Sequence, residues 1–165
     1  MLSEPEVIER PAQPYVGIRA QVTMESLGRV LPDLHGQVFG WLGQRGIAPA
    51  GAPFWRYNVI DMARLLEVDV AVPVASAVTG DDQVLADTVP AGRYASLRYT
   101  GDPSGLLGAT ESLLKWADEQ GLTWDMVPTP DGDRWAARLE IYETDPTVEP
   151  DTAKWVTQLA FRLAD

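Results

Sequence analysis

The sequence predicts a single α+β domain over residues 1–165, made of two successive β-α-β-β units. Three observations carry this. The segment "PAQPYVGIRA" at 11–20 is echoed by "PAGRYASLRY" at 90–99, with Pro11, Ala12, Tyr15 and Arg19 matched by Pro90, Ala91, Tyr94 and Arg98. A second echo, "WLGQRGI" from Trp41 and "WADEQGL" from Trp116, follows in the same order at nearly the same offset. Each echo leads into the same alternation of period-two and helical patterns. The repeats span about 7–78 and 82–165. Helices set on one face of an antiparallel or mixed sheet are the arrangement this order favours, and two related halves leave room for a ligand cleft between them.

The elements follow in order. "YVGIRAQV" alternates and reads as a strand. From Thr23 to Arg45, Leu34, Val38, Trp41 and Leu42 recur at helical spacing. Pro32 and Gly36 predict that this helix breaks or restarts near Pro32, and Gly46 stands where a helix end favours glycine. "FWRYNVID" and "EVDVAVPVA" are the next strands, the second with Val68, Val70, Val72 and Val74 on one face. In the second unit "GRYASLRYT" is the strand and "DPSGLLGATESLLKWADEQG" the helix, capped by Asp102 or Ser104. Its core face is Leu106, Thr110, Leu113 and Ala117, and both Trp41 and Trp116 are expected in the core. "PTPDGD" is turn chemistry, and "DRWAARLEIYET" and "AKWVTQLAFRL" close the unit as strands. The acidic, Pro-punctuated "YETDPTVEPD" reads as a surface loop.

Composition narrows the chemistry. The net charge of −11 disfavours nucleic acid and anionic membranes, since both reward Lys and Arg. With no cysteine and a single histidine, thiolate chemistry and His-rich metal sites are excluded. No Gly-rich phosphate loop or nucleophile elbow is present, so no cofactor is implied. His35 reads as an exposed or satisfied side chain. The acidic N-terminus is unlike a signal peptide, and a cytoplasmic setting is expected.

The strand "WAARLEIYET" carries the candidate site. Alternation separates Trp135, Ala137, Leu139 and Ile141, apolar enough to pack on a helix, from Ala136, Arg138, Glu140 and Tyr142. The second set is either an ordinary polar strand surface or the wall of a cleft. In a cleft, a carboxylate flanked by aromatic rings suits a flat cation. Trp55, Tyr57 and Asp61 share one alternating set of "FWRYNVID", Tyr57 is a facing partner for Tyr142, and Tyr15 and Tyr94 sit at matched places. Six Trp and five Tyr against three Phe suit an apolar pocket that must orient its guest. Glu67 and Asp69 are expected in solvent.

The doubled order, "VPAGRYASLRYTG", "PFWRYNVID", "LEIYETDP" and "KWVTQLAFRL" together resemble the GyrI-like small-molecule-binding domains, also found as effector-binding domains of AraC-type and MerR-type multidrug regulators. The resemblance runs from about Val7 to Leu163. It implies two units related by a pseudo-twofold, a cleft between them, and an acidic residue ringed by aromatics that binds lipophilic cationic drugs. The family's Glu-x-Tyr element matches Glu140 and Tyr142, and its other pocket aromatics match Tyr94 and Tyr57. With Trp55 and Arg138 added from the strand alternation, the candidate ligand-binding set is Glu140, Tyr142, Tyr94, Tyr57, Trp55 and Arg138. The chain ends where the resemblance ends, so no DNA-reading segment is expected. No protein partner is identified, and nothing indicates a gyrase contact. Two functions fit. One is a stand-alone binder of aromatic or cationic small molecules for sequestration, sensing or resistance. The other is a hydrolase that opens cyclopropane-containing genotoxins, with Glu140 steering water.

Overall fold

The alternating runs become strands of one antiparallel sheet in the computed structural model, which describes residues 1–165. The elements are β1 (Glu6–Arg10), β2 (Gln13–Val22), α1 (Leu27–Gln44), β3 (Phe54–Ile60), β4 (Leu66–Pro73), β5 (Leu85–Val89), β6 (Gly92–Thr100), α2 (Leu106–Glu119), β7 (Met126–Thr129), β8 (Gly132–Trp135), β9 (Arg138–Tyr142) and β10 (Val156–Arg162). The main order is β1-β6-β10-β9-β3-β4-β2-β5, with the β7–β8 hairpin attached beside β3. Exchanging the halves reverses this order without altering it, which is the pseudo-twofold. Register obeys it too: Tyr94 of β6 lies opposite Ile8 of β1, and Tyr15 of β2 lies opposite Asp87 of β5. The units join edge to edge through β3 and β9 rather than covering each other face to face.

Both helices lie on one face. Val38 and Leu42 of α1 pack with Val72 and Val74, and Leu31 packs with Val68 and Val70. Ala109 and Leu113 of α2 pack with Leu97, Leu159 and Phe161. Each such fully buried aliphatic contributes about 1.5–3 kcal/mol of burial free energy. The opposite face holds Tyr15, Phe54, Tyr94, Leu139 and Ile141 in one cluster, with Ile8 and Leu85 from the two edge strands against it. Side chains from both edges can share a cluster only because the sheet curls, as its twist favours.

Several expectations change. Helix α1 runs unbroken through Pro32. Proline there removes one bond, to Gly28, and the fully buried Leu31 on the preceding position anchors the turn. The strand expected over "DRWAARLEIYET" is two strands, β8 and β9, separated at Ala136 and Ala137. Leu139 and Ile141 face away from the helices, not toward one. Asp69 is fully buried rather than solvated, accepting from Tyr15 at 2.6 Å and from Arg19 at 2.8 Å. Short β1, β5 and β7 were not legible; their exposed, mixed side chains are what edge strands carry. Gly46 ends α1 as expected, with φ of +66°, and Gly121 ends α2 in the same way at +70°. Asp102 caps the short helical turn at 103–105, accepting from the Ser104 amide at 2.9 Å. No helix is long and apolar enough to cross a membrane.

Candidate functional site

Between the two helices the centre of the sheet is left open. Alternation in β3 turns Trp55 and Tyr57 toward this gap, and in β9 it turns Arg138, Glu140 and Tyr142 the same way. The result is a cavity of about 1150 Å³, ample for a drug-sized molecule. Helix α1 supplies one wall through a stripe at helical spacing: Gly28, Pro32, His35 and Phe39. Leu106, Leu107 and Thr110 of α2 form the facing wall.

Glu140 sits on the floor, only 9% exposed. The Tyr142 hydroxyl donates to its Oε2 at 2.7 Å, and the Tyr57 phenol acts on the same carboxylate. Burial pushes the Glu140 pKa up; the two phenols and Arg138 pull the other way without cancelling it. Both phenols are held far above their ordinary pKa, first by burial and then by the Glu140 charge, so they remain donors.

An aromatic cage completes the floor. Trp55 and Tyr142 meet edge to face at 5.2 Å between centroids, and His35 stacks on Trp55 at 6.3 Å while meeting Tyr142 at 6.0 Å. Trp55 Nε1 donates to His35 Nε2 at 2.8 Å, so the imidazole proton resides on Nδ1, which is buried without a partner. Burial lowers the His35 pKa to about 4, leaving the ring neutral at physiological pH. Arg138 lies over Trp135 and Phe161, 4.8 and 4.6 Å from their centroids. No cluster of His, Asp and Glu side chains is arranged to hold a metal.

The structure thus brings together Glu140, Tyr142, Tyr57, Trp55 and Arg138, and it does not bring Tyr94. On β6 the Ala95 and Leu97 side chains face α2, so Tyr94 points to the other side of the sheet. There it is fully buried, and its hydroxyl donates to the Pro90 carbonyl at 2.5 Å. His35 is the residue the sequence reading missed. Its position in the stripe with Gly28, Pro32 and Phe39 was a usable signal, since that face lacks the charges of a solvated helix surface.

The comparisons agree with this architecture. The family model described as GyrI-like small molecule binding domain matches residues 3–164. No curated protein matches the chain. Among solved structures, the crystal structure of the EcmrR C-terminal domain is 17% identical with a TM-score of 0.75, and the alignment covers 98% of each chain. Against EcmrR in its DNA complex the identity is 16% and the TM-score 0.74, covering 98% of this chain but 57% of that one. SAV2435 bound to tetraphenylphosphonium gives 10%, a TM-score of 0.64 and coverage of 98% and 94%. A hydrolase encoded by lin2189 from Listeria innocua gives 13%, a TM-score of 0.65 and coverage of 98% and 92%. At such identities the structures share a fold with this chain and no more, whereas the family model spans it almost end to end. Together with the doubled curled sheet and the cavity under its helices, that match settles the relationship: the chain belongs to the GyrI-like small-molecule-binding domain family.

Proposed function

We propose that the cavity binds an aromatic, positively charged small molecule, serving sequestration, sensing or resistance. One observation carries the reading: a buried carboxylate, gripped by phenols, on the floor of a large aromatic-walled cavity. A lipophilic cation entering it loses water cheaply, because its charge is spread over apolar surface. Glu140 supplies the counter-charge, and Trp55, Tyr57 and Tyr142 supply apolar area and cation–π contacts of about 0.5–2 kcal/mol each. The structural neighbour SAV2435, whose structure holds tetraphenylphosphonium, supports the class of ligand. Calorimetric titration with tetraphenylphosphonium tests the reading: binding is expected in the wild type. Equal affinity in Glu140→Gln would remove the carboxylate from the role.

A second reading has its own support. A carboxyl group whose pKa is raised by burial suits general acid–base work near neutral pH, and a neighbour of the same fold is described as a hydrolase. Here Glu140 takes a proton from water as the water oxygen bonds to a cyclopropane carbon of a flat ligand. The strained carbon–carbon bond breaks toward the conjugated system, which accepts the electron pair and then the proton from Glu140, restoring the carboxylate. Incubation with a cyclopropane-bearing alkylator is then expected to yield a product heavier by one water. Survival of the intact compound under excess protein counts against turnover of that substrate.

A further inference from the structure

We propose that the ligand carries an anionic group as well as its positive charge, and that Arg138 receives it. The inference rests on the cavity being an aromatic-cation site and refines what enters it.

Arg138 is the only Arg or Lys among the residues that line the cavity. It takes part in none of the nine ion pairs of the chain. The contrast with other secluded arginines is sharp. Arg56, its side chain 12% exposed, pairs with Asp87 at 3.6 Å and donates to the Ala136 carbonyl at 2.8 Å. Arg162, 11% exposed, pairs with Asp125 and donates to the Ala91 carbonyl at 2.9 Å. Arg138 instead lies over the rings of Trp135 and Phe161, which hold it in place without taking its N–H groups. A guanidinium has five donors in a planar fork that matches a carboxylate or phosphate. In this structure they have no protein partner at the cavity wall, and partial burial lowers the Arg138 pKa.

Glu140 does not discharge this role. It stands two residues along the same strand, its Oε2 is taken by Tyr142, and no Glu140–Arg138 contact reaches ion-pair distance. Side chains two apart leave a strand about 7 Å from one another, so the cavity floor presents a negative and a positive station in fixed order. The remaining charges at the lining are acidic: Glu25, Glu143 and Asp145, of which Glu143 is paired with Arg98 at 2.6 Å. A plain monocation would be drawn to Glu140 but opposed by Arg138. A zwitterionic aromatic satisfies both, and Arg138 then selects against the monocation.

Rhodamine B and its ethyl ester make the comparison directly, since both keep the cationic ring system and only the first keeps the carboxylate. Fluorescence anisotropy with the intact chain is expected to show at least tenfold tighter binding of rhodamine B. Arg138→Met, which keeps the apolar stem, is expected to abolish that preference by weakening rhodamine B alone. Arg138→Lys is expected to retain part of it. Equal or tighter binding of the ester by the wild type overturns the anionic station and leaves the cation reading standing, with no variant needed. A preference for rhodamine B that persists in both variants overturns Arg138 as its source. Failure of both dyes to bind sinks the cation reading itself, and this inference with it.

Discussion

Trp55 and Glu140 lie opposite each other across β3 and β9, and each is the other's counterpart under exchange of the halves. Val70 of β4 lies beside Trp55 as Leu159 of β10 lies beside Glu140. Three residues further on, Pro73 and Arg162 pair with the matched Tyr15 and Tyr94. The pseudo-twofold therefore passes between an indole and a carboxylate. Trp55 with Tyr57 answers Glu140 with Tyr142, so the symmetric frame carries an asymmetric floor with one acid at its centre.

Replacing that acid by its neutral isostere separates binding from stability. In Glu140→Gln, affinity for tetraphenylphosphonium should fall at least tenfold, as loss of a buried charge partner does. The folded pKa of Glu140 is raised, so its contribution to stability is greatest below the unfolded value of 4.5 and is lost as pH rises through the folded one. The variant should accordingly be more stable than the wild type at neutral pH. Calorimetry and chemical denaturation at pH 7 read the two effects.

The phenols tune the same group. Tyr142→Phe removes the donor at 2.7 Å and should raise the Glu140 pKa further. Cation affinity should then reach its plateau at higher pH than in the wild type, with a loss at neutral pH of roughly threefold to tenfold. Tyr57→Phe should act in the same direction. A pH series of dye titrations distinguishes this from a simple loss of contact, which would lower the plateau without moving it.

His35 predicts a pH effect of the opposite sign on stability. Its folded pKa of about 4 lies below the unfolded 6.5, so the unfolded chain binds the extra proton between those values. Stability contributed by the neutral ring is fully present above 6.5 and is lost as pH falls toward 4, by about 2–3 kcal/mol. His35→Gln should flatten this part of the profile. Urea unfolding between pH 4 and 7 measures it.

Tyr94 should matter to the fold and not to the ligand. Tyr94→Phe forfeits the hydrogen bond to Pro90 and is expected to cost about 1 kcal/mol of stability. Dye affinity should remain within twofold of the wild type. A large loss of affinity in a folded Tyr94→Phe protein would place the tyrosine back in the site.

The legible part of the site was the part written along a single strand. Glu140, Tyr142 and Arg138 share one alternating set, and Trp55 with Tyr57 share another, so period two alone groups them. For His35 the uncharged helical stripe was legible but its bond to Trp55 was not, because the two meet only after α1 docks on the sheet. Tyr94 misled because a matched position says nothing about which side of a strand points to which layer. The same ambiguity inverted the reading of Leu139 and Ile141: alternation defined their set, and its apolar character pointed to a helix.

What the sequence determined by itself is local and periodic: the doubled order of strands and helices, the glycine helix ends, and the partition of each strand into two faces. Those follow from backbone geometry and hydrophobic spacing, which act over a few residues. Only the tertiary structure decided which face the helices roof and where they leave it bare. That choice depends on curling the sheet until Tyr15 and Tyr94, from its two outer flanks, fill one core. With that side occupied, the helices close over the other, and the buried carboxylate lies in the gap between them.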